Sequence, residues 1–177
     1  MEYSNLLKEQ VDMVLSISKC ENSDYYDFIE YALQRSDYFM LVYVNYENHG
    51  FSQIIKNIKQ ELKPYYFKKR TNPSWIGTPF TYCANTTYQV TYYHSCTEVN
   101  KILSKVNNIF QWSRPLYPQD LSFFVKKQCW CYTVGHEEIM GIIDPSSEDI
   151  DFLKAHNMFD KRNIKTFNMN YIEDILK

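Results

Sequence analysis

The chain has 177 residues, with 19 Lys and Arg against 21 Asp and Glu, and a formal net charge of −2. An apolar share of 45%, of which much is aromatic, excludes a disordered chain and is enough to fill a real core. No run reaches the ~18 consecutive apolar residues of a membrane span, and Met1-Glu2-Tyr3-Ser4 opens no basic stretch followed by an apolar block, so a cytoplasmic protein is expected.

In chain order, Leu7, Val11, Val14 and Leu15 share one helical face and predict a helix over 4–18. A second helix is predicted over 24–35, capped by Ser23, with Tyr25, Phe28, Ile29, Ala32 and Leu33 as its stripe. The dense apolar and aromatic run 37–45 reads as a central strand. Phe51, Ile54, Ile55, Ile58 and Leu62 predict a helix over 50–62, stopped by Pro64. A short strand at 65–68 precedes a long loop over 70–86, punctuated by Pro73, Gly77 and Pro79. Tyr88, Val90 and Tyr92 alternate and predict a strand. Ser95 and Glu98 fit a capping box that opens a helix carrying Val99, Ile102, Leu103, Val106, Ile109 and Phe110. Strands over 121–125, 128–134 and 138–143 have short connections and predict an antiparallel meander. A helix over about 147–156 and one more helical turn at 171–176 complete the chain. The expected fold is therefore α+β: an antiparallel sheet of about 5–6 strands with a C-terminal meander, covered by helices. A single domain is expected over 1–177, with a helical segment at 1–35, an α+β core at 36–143 and a helical segment at 144–177.

The near-zero charge is an average of unlike parts. Residues 1–47 hold nine acids and three bases, 48–136 three acids and eleven bases, and 137–177 nine acids and five bases. The basic centre is the place to look for a partner. Lys56, Lys59, Lys63, Lys68, Lys69 and Arg70 concentrate there with Tyr65, Tyr66, Phe67 and Trp75, and Glu61 is the only acid among them. This pattern suits nucleic-acid strands, by phosphate neutralisation and stacking. It suits an acidic protein surface equally, and three of the lysines lie opposite the apolar stripe of an amphipathic helix, where a solvated face is the simplest role. A sequence pI of 6.1 argues against nucleic acid. Of the three tryptophans, Trp75 is expected to be exposed in the loop, while Trp112 and Trp130 are expected in the core.

Five cysteines without an export signal read as free thiols, and Cys129 and Cys131, two apart on a strand, are expected on one face. Zinc spacings, Walker motifs and G-x-G-x-x-G are absent, so neither a metal nor a cofactor is expected. His136 and Glu137 follow the second meander strand, where a carboxylate can orient an imidazole for acid–base work. Pairing through a turn at 126–127 places residue 120 opposite 133, so Asp120, His136 and Glu137 are expected to cluster at one end of the meander.

Trp75-x-Gly77-Thr78, then Arg114-Pro-x-Tyr117-Pro118-x-Asp120-Leu121 with Phe123-Phe124, then Trp130 and His136-Glu137 resemble a group of small bacterial proteins often called "stage III sporulation protein AH". The resemblance covers roughly residues 36–143. It implies an α+β cytoplasmic protein and carries over no catalytic residue. Gln119 stands where that group has an acid, which counts against a carboxylate pair at 119–120.

Three functional expectations follow. The first is a non-catalytic binding or regulatory protein that engages an acidic protein partner through Trp75, Lys68, Lys69, Arg70 and Arg114. The second is a hydrolase-like enzyme using His136 with Glu137 or Asp120. The third is nucleic-acid binding through 56–75.

Overall fold

The computed structural model describes residues 12–167. Eight strands form one sheet: β1 (Asp12–Ile17), β2 (Tyr38–Asn45), β3 (Tyr66–Thr71), β4 (Thr87–His94), β5 (Gln119–Val125), β6 (Gln128–Val134), β7 (Ile139–Ile143) and β8 (Ile164–Phe167). Their order is β3-β4-β2-β5-β6-β7-β1-β8, and every neighbouring pair is antiparallel. Four helices join them: α1 (Ser23–Arg35), α2 (Gln53–Glu61), α3 (Asn100–Leu103) and α4 (Ser147–Ala155). The α+β class and the β5–β6–β7 meander are as expected. The sheet is larger, because the two end segments both add strands.

Those end strands correct two helical expectations. Residues 12–17 do not form a helix: β1 lies between β7 and β8, with Leu15 and Ile17 in the main core. Sheet pairing on both edges overrides a helical spacing that rested on few residues. The part of that predicted helix at 4–11, and the turn at 171–176, lie outside the described residues. The 144–177 segment holds α4 but then β8, so it is not wholly helical.

The sheet's pleat divides the apolar residues between two faces. Phe39, Leu41 and Tyr43 of β2 join residues from all four helices in the larger cluster. Met40, Val42 and Val44 turn the other way, toward Val90, Tyr92 and Phe124. No helix contributes to this second cluster among the described residues; Trp75 and Ile76 from the 72–86 loop cover it instead. Each such side chain taken fully from water contributes about 1.5–3 kcal/mol.

The helix expected after Ser95 is mostly absent. Thr97–Val99 is a 3-10 turn, α3 has four residues, and Ile109–Gln111 is another 3-10 turn. The capping box does not form: Cys96 takes the cap position without a side-chain bond, and Ser95 Oγ pairs with Ser36 Oγ at 2.9 Å. The helix ends at Leu103, and beyond it the short Asn108 amide competes for a backbone group. Asn108 Oδ1 accepts from Phe110 N at 2.8 Å, and Asn107 O accepts from Asn22 N at 2.7 Å. Ile109 and Trp112 still reach the core. Trp112 Nε1 donates to Tyr25 Oη at 2.9 Å, and Tyr25 Oη donates to the Leu103 carbonyl at 2.7 Å. Ser23 is likewise not the cap of α1; Asn22 takes that position without a side-chain bond. A capping box does form at α4, between Ser146 and Asp149.

Two bulges set the end of the meander. Met40 pairs with Ser122 and Val42 with Gln119, so β5 carries an extra residue there. Asp120 lies within that stretch with φ 62°, a conformation that aspartate tolerates better than most residues. Opposite, Phe124 pairs with Cys129 and Phe123 with Cys131. The extra residue lies in β6, so Cys131 faces the helices and Cys129 faces the other side. The expectation that both thiols share a face is therefore wrong, because the bulge breaks the alternation. All five cysteines are free, and burial pushes the Cys129 and Cys131 thiols well up, which keeps them protonated and inert. Among the described residues, no helix is long and apolar enough to cross a membrane.

Candidate functional site

Asp120 and the His136-Glu137 turn do meet at one end of the meander, but with a different geometry from the one expected. The β5 and β6 bulges shift the register, and Asp120 Oδ1 accepts from the Gly135 amide at 2.9 Å. Its Oδ2 accepts from Trp75 Nε1 at 2.7 Å and from Gln119 Nε2 at 3.3 Å, with Thr78 Oγ1 at 3.5 Å. Asp120 is fully buried. Burial raises its pKa above the ordinary carboxyl value, against the lowering effect of the Gly135 and Trp75 bonds and of His136. Its acceptor capacity is taken up by these donors.

Trp75 is therefore not exposed. It is 3% accessible, and its indole is the wedge that seats the loop on the second face of the sheet. A buried indole N–H needs an acceptor, and Asp120 supplies it. The Trp75–Thr78 turn closes with hydrogen bonds between their backbones, and Gly77 takes φ 76° against the Tyr132 ring. Arg70 fastens the loop further: Nε donates to Tyr92 Oη at 3.3 Å and Nη1 to the Ser74 carbonyl at 3.4 Å.

Above this anchor lies a cleft of about 300 Å³, with Trp75, Phe80, Arg114, Gln119, His136 and Glu137 in its lining. His136 Nε2 and Glu137 Oε1 stand 3.5 Å apart, each more than half exposed. Arg114 lies over the Tyr46 ring at 5.6 Å. Asp120 sits beneath the cleft, behind the indole, and does not line it. The arrangement orients a loop and presents a mixed-charge rim. No group of three or more His, Cys, Asp and Glu side chains able to hold a metal is found among the described residues.

The basic run is split by the strand pleat. Lys68 pairs with Tyr92 across β3–β4, and Lys69 pairs with Thr91. Tyr92 belongs to the second face, whereas Tyr93 joins the helix-covered core. Lys69 therefore stands on the α2 side, with Lys56 and Lys59 from α2 and Lys63 from the 3-10 turn that follows it. These four lysines, with Tyr66, Thr91 and Tyr93, line a cleft of about 570 Å³ between α2 and the β3–β4 edge. Glu61 is turned away into an ion pair with Lys105.

Lys59 is the most confined of the four. Its Nζ donates to Gln89 Oε1 at 2.9 Å and lies 5.0 Å from the Tyr43 ring centre and 5.1 Å from that of Phe51. Burial, helped by the neighbouring charge of Lys69, lowers its pKa. At the floor, the Tyr43 and Tyr93 hydroxyls bond each other at 2.7 Å. Burial pushes the Tyr93 hydroxyl up to about 12. Thr91 Oγ1 stands beside Tyr93 but makes no hydrogen bond of acceptable geometry, although the residue is only 3% exposed. Thr91 has no place among the expected site residues. The alternation of β4 was its signal: with Tyr88, Val90 and Tyr92 on one face, Gln89, Thr91 and Tyr93 must face the other.

Comparisons with protein-family models, curated proteins and solved structures return no match for this chain.

Proposed function

We propose that this is a non-catalytic binding protein that grips an acidic protein partner in the lysine cleft between α2 and the β3–β4 edge. The observation that carries the reading is the convergence of Lys56, Lys59, Lys63 and Lys69 on one cleft with tyrosine walls, where the nearby Glu61 is paired elsewhere. Such a site attracts anions over a distance and holds apolar stems between the rings. The five free thiols suit action in the reducing cytoplasm. A catalytic role for Asp120 has less support, since its oxygens are occupied by Trp75, Gln119 and Gly135. The nucleic-acid reading loses two of its stacking platforms: Trp75 is buried, and Phe67 packs against Tyr38 and His94. Arg114 and Arg70 act instead at the other cleft and its loop.

The test is fluorescence anisotropy with a labelled oligoglutamate peptide at low ionic strength. Binding is expected to be saturable and to weaken about tenfold or more in the double variant Lys56→Glu/Lys69→Glu. The control Lys126→Glu/Lys127→Glu makes the same change in net charge at the β5–β6 turn and is expected to have little effect. Equal losses in both variants would mean diffuse attraction and would overturn the assignment of the cleft.

A further inference from the structure

We propose that the lysine cleft takes a phosphate monoester on an apolar stem, with the phosphoryl group seated between Lys59, Lys69 and the Thr91 hydroxyl. The inference rests on the binding reading above and narrows it to one chemistry. Three observations carry it.

The first is the Thr91 hydroxyl. A buried hydroxyl without a partner costs stability, and this one lies in the cleft lining, across the β3–β4 ladder from Lys69. Its neighbour Tyr93 is already engaged with Tyr43, which leaves the Thr91 hydroxyl available to an acceptor brought by a ligand.

The second is the unbalanced charge. Among the described residues, no carboxylate forms an ion pair with Lys56, Lys59, Lys63 or Lys69. Burial and the nearby charge of Lys69 raise the cost of a proton on Lys59. A carboxylate brings one negative charge and two oxygens. A phosphate monoester brings about −1.5 to −2 and three strong acceptor oxygens, which better matches several ammonium groups and one hydroxyl.

The third is the cleft's shape and walls. About 570 Å³ is far more than a free phosphate fills, and it lies within the range of sites for organic ligands. Tyr66 and Tyr93, with the lysine stems, offer apolar surface to whatever carries the phosphate.

Isothermal titration calorimetry with phenyl phosphate, benzoate and inorganic phosphate tests this. Phenyl phosphate is expected to bind about tenfold more tightly than either of the others. The variant Thr91→Val keeps the side-chain shape and removes the hydroxyl. It is expected to raise the melting temperature and to weaken phenyl phosphate about tenfold. A glutamate-flanked phosphotyrosine peptide separates the sources: tighter binding than phenyl phosphate points to a phosphorylated partner, equal binding to a small phosphorylated molecule, and both support the phosphoryl seat. Phenyl phosphate that binds no better than benzoate, or a Thr91→Val variant without effect on it, overturns the phosphoryl assignment while bound oligoglutamate keeps the acidic-partner reading. Absence of binding by every anion removes both.

Discussion

Replacing Asp149 by alanine is expected to destabilise the protein by about 3–5 kcal/mol, the largest loss of any polar substitution considered. The carboxylate is fully buried and serves three elements at once. Oδ1 accepts from Tyr31 Oη at 2.6 Å and Arg35 Nε at 3.2 Å, both on α1. Oδ2 accepts from Trp130 Nε1 of β6 at 3.1 Å and from the Ser146 amide at 2.8 Å, which closes the α4 capping box. Its loss leaves the Trp130 indole N–H without an acceptor beside the stacked Phe28 ring and removes the carboxylate half of the capping box, the bond from the Ser146 amide. Urea unfolding at neutral pH measures the effect.

The same carboxylate has a signed pH dependence. Burial alone would raise its pKa, but the bonds from Tyr31, Ser146 and Arg35 overcome this and hold it below the ordinary value. A depressed pKa contributes stability that is fully present above the unfolded value of about 4 and is lost as pH falls through the folded one. The difference in stability between the native protein and Asp149→Asn is therefore expected to narrow on acidification below about pH 4.

Asp120→Ala is expected to cost about 2–5 kcal/mol, through the stranded Trp75 indole and Gly135 amide. Its pH signature has the opposite sign. Burial raises the Asp120 pKa, so its contribution is fully present below the unfolded pKa and is lost as pH rises through the folded one. Relative to Asp120→Asn, the native protein is expected to gain as the pH is lowered from 7 toward 4. Matched urea series for the two asparagine variants check both signs, and parallel pH trends would contradict the account. Asp120→Ala also loosens the loop under the His136–Glu137 cleft, but the lysine cleft lies on the other face of the sheet. Oligoglutamate binding is expected to survive in this variant wherever it remains folded.

What was legible in the sequence follows from physics that acts locally. The apolar run of β2, the stripes of α1 and α2 and the two-residue turn between β5 and β6 all carry their own periodicity. The four-residue α3 did not, because Ile109 and Trp112 reach the core through a 3-10 turn at positions that a helix would also bury. β1 gains its conformation from β7 and β8, its neighbours in space, and nothing within 12–17 announces them. The sequence places Asp120 and the His136-Glu137 turn at the same end of the meander, where the structure bonds Asp120 to the Gly135 amide that opens the turn. The two bulges were not legible, and they decide that Asp120 faces Trp75 rather than a cleft. A loop tryptophan with an indole N–H to satisfy, followed by a lone aspartate in an apolar strand, was a signal for that contact. The basic run was visible, but the split between Lys69 and Lys68 needed the β3–β4 register.

The most direct test of the lysine cleft is an amide NMR titration of the full chain with oligoglutamate. The predicted result is a saturable set of shifts concentrated at Lys59, Lys69, Thr91 and Tyr93, with Arg114, His136 and Glu137 unmoved. Shifts confined to Arg114, His136 and Glu137, or no saturable shifts at low ionic strength, would contradict it.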